Sequence, residues 1–121
     1  MENSDPSSWI PRFQAFLAVA YYKTGHKKEA KNIISQLIQK SDTTSIGSPA
    51  YYSGYYYSWI SEIDSAFYWL EKAYKNRSPE MPWLKMDPAF NSLKEDPRYW
   101  DLYERTGHKA YDDYMASKNE Q

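Results

Sequence analysis

The chain lacks cysteine, has few glycines and contains no long apolar run. Its 121 residues include no Cys and only 4 Gly. Without cysteine the chain forms neither a disulfide nor a thiolate metal site. Every apolar run is shorter than the ~20 residues that cross a bilayer, and the scattered glycines leave no glycine-rich phosphate loop. We therefore expect no membrane segment and no nucleotide site of that kind.

Charge of one sign does not dominate either. Lys and Arg total 15 against 16 Asp and Glu, a formal net charge of −1. This balance gives no general attraction to nucleic acid or to an anionic membrane, so neither partner is expected. Aromatic residues, in contrast, make up 18% of the chain, with 13 Tyr and 5 Trp. They must lie either in a core or on a binding surface.

Two segments of the chain repeat each other at an offset of 36 residues. Small, aromatic and aliphatic side chains recur at matching positions: Ala18 and Gly54, Tyr21 and Tyr57, Ala30 and Ala66, Ile34 and Leu70, Leu37 and Ala73. A period of this size is typical of stacked helix pairs, each too thin to bury its apolar faces alone. The sequence thus predicts helical repeats within one domain.

Apolar periodicity predicts two helices in the first repeat. The first is expected to take Ser7 or Ser8 as its N-cap and to end at Gly25. Helical spacing predicts that its buried face consists of Ile10, Phe13, Leu17, Ala20 and Tyr21. The second helix carries its own buried stripe, formed by Ala30, Ile33, Ile34, Leu37 and Ile38. Residues 41–48 lack periodicity and are expected to form a loop.

The second repeat is expected to contain a third and a fourth helix. Pro49 opens the third helix, which runs to about Ile60. The fourth begins at about Asp64, and residues 78–79 end it with Ser-Pro. Gly54 aligns with Ala18, so we expect its missing side chain to let the two helices approach closely.

Two Asp-Pro pairs, at residues 87–88 and 96–97, predict two further helix starts. Asp is a good N-cap and Pro suits the first helical position. A short helix is expected after Asp87, and a longer one from Pro97 to about Thr106 with Gly107 as its stop. The apolar residues of this region are expected to be buried against the second helix pair: Leu84, Phe90, Leu93 and Leu102.

The two repeats resemble the tetratricopeptide repeat, a helix–turn–helix family of about 34 residues per repeat. That family places a small residue three positions before a tyrosine, as at Ala18 and Gly54, and an alanine early in the second helix. The bulky aromatic residue that it places early in the first helix is replaced here by Gln14 and Ala50. The resemblance implies an all-α fold of two antiparallel hairpins in a right-handed α-solenoid, closed by C-terminal capping helices.

The resemblance also implies an organisation of the chain into segments. These are a flexible N-terminus (1–8), two repeats (9–41 and 49–79), a capping segment (80–109) and a terminal helix or frayed tail (110–121). Residues 83–107 resemble the segment that closes many bacterial tetratricopeptide proteins. The chain is accordingly expected to be the C-terminal regulatory part of a larger bacterial protein or a small relative, with the cytoplasm as the favoured compartment.

The family's concave face implies a candidate groove for a protein or peptide partner. Carried over position by position, the groove residues are Arg12, Ala15, Val19, Tyr22 and Lys23 in the first repeat, and Ser48, Tyr51, Tyr55, Ser58 and Trp59 in the second. The lysine and asparagine that clamp a C-terminal carboxylate in some members are absent, because Ala15 and Val19 occupy those positions. The groove therefore suits a short peptide with apolar anchors. In the competing interpretation the chain's own terminal helix fills it.

No catalytic or metal constellation is visible in the sequence. His26 and His108 each follow a helix-stopping glycine, and we interpret them as turn residues rather than as ligands or bases. The basic run of Lys23, Lys27, Lys28 and Lys31 is interpreted as a solvated helix face, although it could contact an acidic partner. We expect a non-catalytic interaction scaffold without metal or cofactor. The alternatives are a homodimerisation module and a small-ligand sensor that uses the same groove.

Overall fold

The structure, a computed structural model, describes residues 10–43, 48–107 and 114–118, which form helices and no strand. Its α-helices are α1 (Pro11–Lys23), α2 (Lys27–Thr43), α3 (Pro49–Trp59), α4 (Ile63–Lys75) and α5 (Pro97–Arg105). Two 3₁₀ helices, Met81–Trp83 and Pro88–Leu93, lie between α4 and α5. Residues 114–118 are also helical. The predicted all-α class is confirmed. We call Pro88–Leu93 the closing segment.

The helix α3 lies at the centre of the packing. Tight turns at residues 24–26 and 60–62 join α1 to α2 and α3 to α4, and the helices of each pair pack against each other. In addition, α3 contacts α1, α2 and the closing segment. Eight of its eleven residues are buried: Pro49, Ala50, Tyr51, Tyr52, Ser53, Gly54, Tyr56 and Ser58. Apolar and small side chains all round a helix are typical of such a central position.

Two helix boundaries differ from those predicted. The N-cap of α1 is Ile10, in an extended conformation, and Pro11 takes the first helical position. The predicted caps, Ser7 and Ser8, lie outside the described residues. The fixed φ of proline already suits the start of a helix. The helix α2 continues through Thr43, so the first part of the predicted 41–48 loop is helical. Residues 44–47 of that loop lie outside the described residues.

The turns after α1 and α3 have the same backbone conformation. Gly25 has φ of 89° and Ser61, its equivalent at the offset of 36 residues, has φ of 65°. Beyond each, a backbone N–H donates back into the helix: His26 to Tyr21 O at 2.7 Å, and Glu62 to the Tyr57 carbonyl at 2.9 Å. This is the Schellman arrangement, which usually requires glycine at the left-handed position.

The predicted buried face of α1 is only partly correct: Leu17 and Tyr21 pack against the core while partly buried, whereas Ile10, Phe13 and Ala20 are exposed. The fully buried residues of this helix are instead Pro11, Gln14, Ala15 and Ala18. Ile10 is 53% exposed and Phe13 is 46% exposed. The small side chains at 15 and 18 let α1 approach its neighbours closely, so the helix turns its larger apolar residues outward. Gln14 is satisfied in part by Lys40, whose Nζ donates to its Oε1 at 2.7 Å.

Close packing between α3 and α4 depends on Gly54. A Cβ atom built at this position would lie 3.0 Å from Leu70 Cγ and 3.2 Å from the carbonyl oxygen of Ala66. Such distances are shorter than ordinary van der Waals contact, so the glycine permits the observed approach. The close contact expected at this position of the repeat is present.

The region after α4 covers the second helix pair as predicted. All four expected residues are fully buried: Leu84, Phe90, Leu93 and Leu102. Asp87 and Asp96 cap the closing segment and α5, accepting from the N–H groups of Ala89 at 3.1 Å and Arg98 at 2.9 Å. Both Asp-Pro pairs therefore start helices, which confirms that part of the prediction.

Two arginines attach α5 to α4. The Arg98 guanidinium carbon lies 4.6 Å from the centroid of the Phe67 ring, and that of Arg105 lies 5.0 Å from the centroid of Tyr74. Each arginine also pairs with the carboxylate three residues before its aromatic partner. Because the arginines and the rings are both seven residues apart, the two helices run in the same direction.

Candidate peptide-binding groove

The closing segment covers part of the predicted groove. Tyr51 is 0% exposed, its ring contacts Phe90 at a centroid distance of 5.4 Å, and its hydroxyl donates to Asp87 Oδ2 at 2.9 Å. The hydroxyl of Ser58, also buried, donates to the carbonyl oxygen of Ala89. The prediction that Tyr51 and Ser58 line an open groove is therefore wrong, because both side chains are buried. The reason is non-local: a later segment of the chain packs onto this part of α3.

An aromatic row remains accessible beside the covered part. It consists of Phe16 on α1 and of Tyr55 and Trp59 on α3, all of which are partly or substantially exposed. The ring centroids of Phe16 and Tyr55 lie 5.5 Å apart, and those of Tyr55 and Trp59 lie 6.3 Å apart. These spacings are those of interacting aromatic pairs. The three rings therefore form a continuous apolar strip across α1 and α3, which we call the aromatic row.

Two basic residues of α1 flank this strip. Lys23 Nζ lies 5.7 Å from the centroid of the Trp59 ring, close enough for a cation–π contact. Arg12 is exposed near the start of α1, and its guanidinium carbon lies 5.4 Å from the centroid of the Phe13 ring. Val19 is half-buried between them. The helical spacing of residues 12, 19 and 23 thus brings these three predicted groove residues to one side of α1.

Three other predicted groove residues lie elsewhere. Ala15 and Ser48 are buried, because α1 packs through its small side chains and residue 48 is the N-cap of α3. The Tyr22 ring points toward Tyr56, at a centroid distance of 6.4 Å, rather than toward the aromatic row. Lys27 Nζ also contacts Tyr22 and lies 5.1 Å from the centroid of its ring. Tyr22 therefore belongs to a separate cleft.

Phe16 is not among the residues predicted for the groove. It is 43% exposed and contacts both Tyr55 and Phe13, the latter at 6.2 Å between ring centroids. Helical spacing could have identified it, since Phe16 lies four residues after Arg12 and seven before Lys23. The resemblance instead implied Ala15 as the groove residue, and Ala15 faces the interior.

The row offers apolar surface and cation–π contacts rather than acid–base chemistry. Burial raises the pKa of Tyr55 above its ordinary value of 10.0, so its phenol stays protonated at neutral pH and is able to donate a hydrogen bond. Across the described ranges, no three His, Cys, Asp or Glu side chains form a group that could hold a metal. His26 contacts Thr24 Oγ1 through its Nδ1 at 3.0 Å, whereas His108 lies outside the described residues.

In the competing interpretation of the groove, the chain's own terminal helix fills it. Within the described part of the chain, the segment that covers α3 is Pro88–Leu93. The terminal region is described only at 114–118, where Tyr114 is 61% exposed. The remainder of the predicted terminal helix, at 110–113 and 119–121, lies outside the described residues.

Comparisons with known proteins add no relative. The chain matches no protein-family model, no curated protein and no solved structure. Among the described helices, none combines the length and apolar character needed to span a membrane.

Proposed function

We propose that this protein is a non-catalytic interaction scaffold that binds a short peptide along the aromatic row. The observation that carries the proposal is the continuous contact of Phe16, Tyr55 and Trp59, which remain accessible while neighbouring tyrosines are buried. Accessible aromatic rings that are already held in place bind with little loss of conformational entropy. Such rings are frequent energetic centres of protein interfaces.

The tetratricopeptide resemblance is part of the same proposal. Ala18 and Gly54 are both buried where helices approach closely, and Ala30 and Ala66 are both fully buried. The turns after α1 and α3 share one conformation. These equivalences support two copies of one helix-pair unit, stacked through α3. In that arrangement the aromatic row lies on the face that the first helices of the two pairs share.

The side chains in and beside the aromatic row indicate which residues a bound peptide should carry. An apolar or aromatic anchor would pack onto the row of Phe16, Tyr55 and Trp59, and burial of its area would supply most of the affinity. Lys23 and Arg12 lie beside the row, so an acidic residue in the peptide would gain charge complementarity and a faster association rate. The expected ligand is a short segment with an aromatic or large aliphatic anchor and an acidic neighbour.

Selection from a random peptide library tests the proposal. Selected peptides should share such an anchor, and calorimetry should find that Phe16→Ala and Trp59→Ala each weaken binding about thirtyfold, the equivalent of ~2 kcal/mol. Tyr68→Ala is the matched control, because Tyr68 is also exposed but lies on α4. Peptides whose affinity survives both row variants, or falls equally with the control, would contradict the proposal.

Self-association is a second candidate function. It is favoured by the outer face of α1, where Ile10 and Phe13 are exposed and Leu17 is half-buried. This apolar stripe adjoins the aromatic row, since the rings of Phe13 and Phe16 are in contact, and it could pack against the same stripe of a second copy. Light scattering over a range of concentrations tests this. A dimer that dissociates in Phe13→Glu but persists in Tyr68→Glu would support it, and a monomer at all concentrations would eliminate it.

A further inference from the structure

A second concave site lies between the two helix pairs, near their turns. Its volume is about 610 Å³, within the usual range of small-molecule sites. The end of α1, the start of α2 and the end of α3 form its walls. We call it the turn cleft. The closing segment contributes no lining residue, so this cleft is separate from the covered part of the groove.

Three lysines of α2 line the turn cleft. Lys27 and Lys28 are the first two residues of that helix, and Lys31 follows one turn later. Cations in the first turn oppose the helix dipole, whose positive end lies there. Within the described ranges, none of these lysines forms an ion pair with a carboxylate. A bound anion would therefore relieve repulsion among the three lysines and between them and the helix end.

Tyrosine rings form the apolar part of the cleft. Tyr22 and Tyr56 contact each other edge to face, with centroids 6.4 Å apart, and Tyr57 stands next to them at 5.1 Å from Tyr56. Lys27 Nζ lies 5.1 Å from the centroid of Tyr22. Positive charge is thus placed over the Tyr22 ring, beside aromatic rings that stand nearly perpendicular to one another. This combination suits a ligand that has both a flat apolar body and a negative group.

One acidic residue, Glu62, also lines the cleft. It is exposed and is the last residue of the turn between α3 and α4. With three lysines and one carboxylate, the lining still carries a net positive charge of two at neutral pH (3 − 1). Glu62 thus lowers the affinity for an anion without reversing the sign of the site, and its removal should strengthen binding.

We infer that the turn cleft binds a small organic anion: a planar apolar ring that carries a phosphate or carboxylate group. The ring packs against Tyr22, Tyr56 and Tyr57, and the anionic group lies among Lys27, Lys28 and Lys31. Burial raises the pKa of Tyr56 to about 12, so its hydroxyl is protonated at neutral pH and supplies a donor rather than a repelling charge. This site does not depend on the proposed peptide function.

Titration with matched probes tests the inference. The probes are 1-naphthyl phosphate, 1-naphthoate, uncharged 1-naphthol and inorganic phosphate, followed by calorimetry and by amide chemical shifts. The two charged naphthyl probes should bind saturably and more tightly than either 1-naphthol or phosphate alone, and their affinity should fall with added salt. Equal affinity for 1-naphthol and 1-naphthyl phosphate would overturn the role of the lysines.

Variants then locate the site. Lys28→Gln combined with Lys31→Gln should weaken 1-naphthyl phosphate about tenfold or more, and Glu62→Gln should strengthen it a few-fold. Lys118→Gln is the control, because Lys118 is exposed and remote in sequence from the cleft. Loss of binding in Trp59→Ala with retention in the lysine variant would assign the probe to the aromatic row and refute the inference. Failure of every probe to bind at millimolar concentration would do the same.

Discussion

Tyr51 and Asp87 join the central helix α3 to the closing segment. The Tyr51 hydroxyl donates to Asp87 Oδ2 at 2.9 Å, while the other oxygen of the same carboxylate accepts from the N–H of Ala89 at 3.1 Å. One carboxylate therefore caps the closing segment and fixes it to α3. Burial, followed by the charge of Asp87, raises the pKa of Tyr51, so the donor stays protonated across the ordinary pH range.

The hydrogen bond between Tyr51 and Asp87 predicts that removal of the Tyr51 hydroxyl oxygen lowers the stability of the fold. Tyr51→Phe should lower the free energy of unfolding by about 1–3 kcal/mol, because it leaves a partly buried carboxylate oxygen without its donor. Asp87→Ala should cost more, since it also removes the cap, typically worth ~1 kcal/mol. Denaturant unfolding of both single variants and the double variant measures the coupling. Tyr57→Phe is the control, and a loss in it equal to that of Tyr51→Phe would contradict this account.

Local signals allowed much of the fold to be predicted, but not its non-local contacts. The Asp-Pro pairs and Gly25 act within one turn of the chain, so their effect is visible in the sequence. The buried face of α1 is different. Phe13 and Ala15 are both apolar, on different sides of the helix, and only the approach of α2 and α3 decides which side is buried.

In the candidate site, too, local features could be predicted from the sequence and non-local contacts could not. Its position on α1 and α3 followed from helical spacing and the family resemblance, and Tyr55 and Trp59 remain accessible there. The burial of Tyr51 could not be predicted, because the closing segment that covers it comes more than thirty residues later. Local periodicity carries no information on where such a segment docks.

The close approach at Gly54 reverses the usual effect of an alanine substitution. Gly→Ala in a helix interior normally stabilises by up to ~1 kcal/mol. Here the added Cβ would lie 3.0 Å from Leu70 Cγ, so Gly54→Ala should instead destabilise, and Gly54→Leu should cost about 1–3 kcal/mol or more through overpacking. Thermal and denaturant unfolding measure both variants. Unchanged or increased stability of Gly54→Leu would show that the helices are not packed closely at this position.

Buried tyrosines predict loss of stability at alkaline pH. Burial raises the pKa of Tyr52, Tyr56 and Tyr99 to about 12, compared with 10.0 for an unperturbed tyrosine. Below pH 10 both the folded and the unfolded chain keep these protons, so the stability is fully present. As the pH rises from 10 toward about 12, the unfolded chain ionises first and the folded state loses stability.

Urea midpoints at a series of pH values, together with tyrosinate absorbance, measure this effect. The midpoint should be flat to about pH 9 and should fall steadily above pH 10. Tyr99→Phe should be less stable at neutral pH but should show a shallower alkaline fall, because one titrating group is gone. An identical alkaline slope in the variant would mean that Tyr99 ionises normally in the folded chain.

The equivalent turns after α1 and α3 permit a reciprocal exchange. Ser61 takes a left-handed conformation with φ of 65°, which costs a residue other than glycine about 1 kcal/mol, whereas Gly25 adopts φ of 89° without that strain. Ser61→Gly should therefore raise the free energy of unfolding by up to ~1 kcal/mol. Gly25→Ser should lower it by a similar amount, and this loss is purely conformational, because a Cβ at residue 25 meets no atom within 4 Å.

The double exchange provides the internal control for this prediction. Among the described residues no backbone hydrogen bond joins the two turns, so the effects of Ser61→Gly and Gly25→Ser should add and nearly cancel. Urea unfolding of the two single variants and the double variant measures all three values on the same scale. If Ser61→Gly destabilises the chain, the serine side chain makes a contribution that outweighs its backbone strain, and the two turns are not equivalent. If both single variants shift stability in the expected opposite directions, the backbone equivalence of the two helix pairs extends to their energetics.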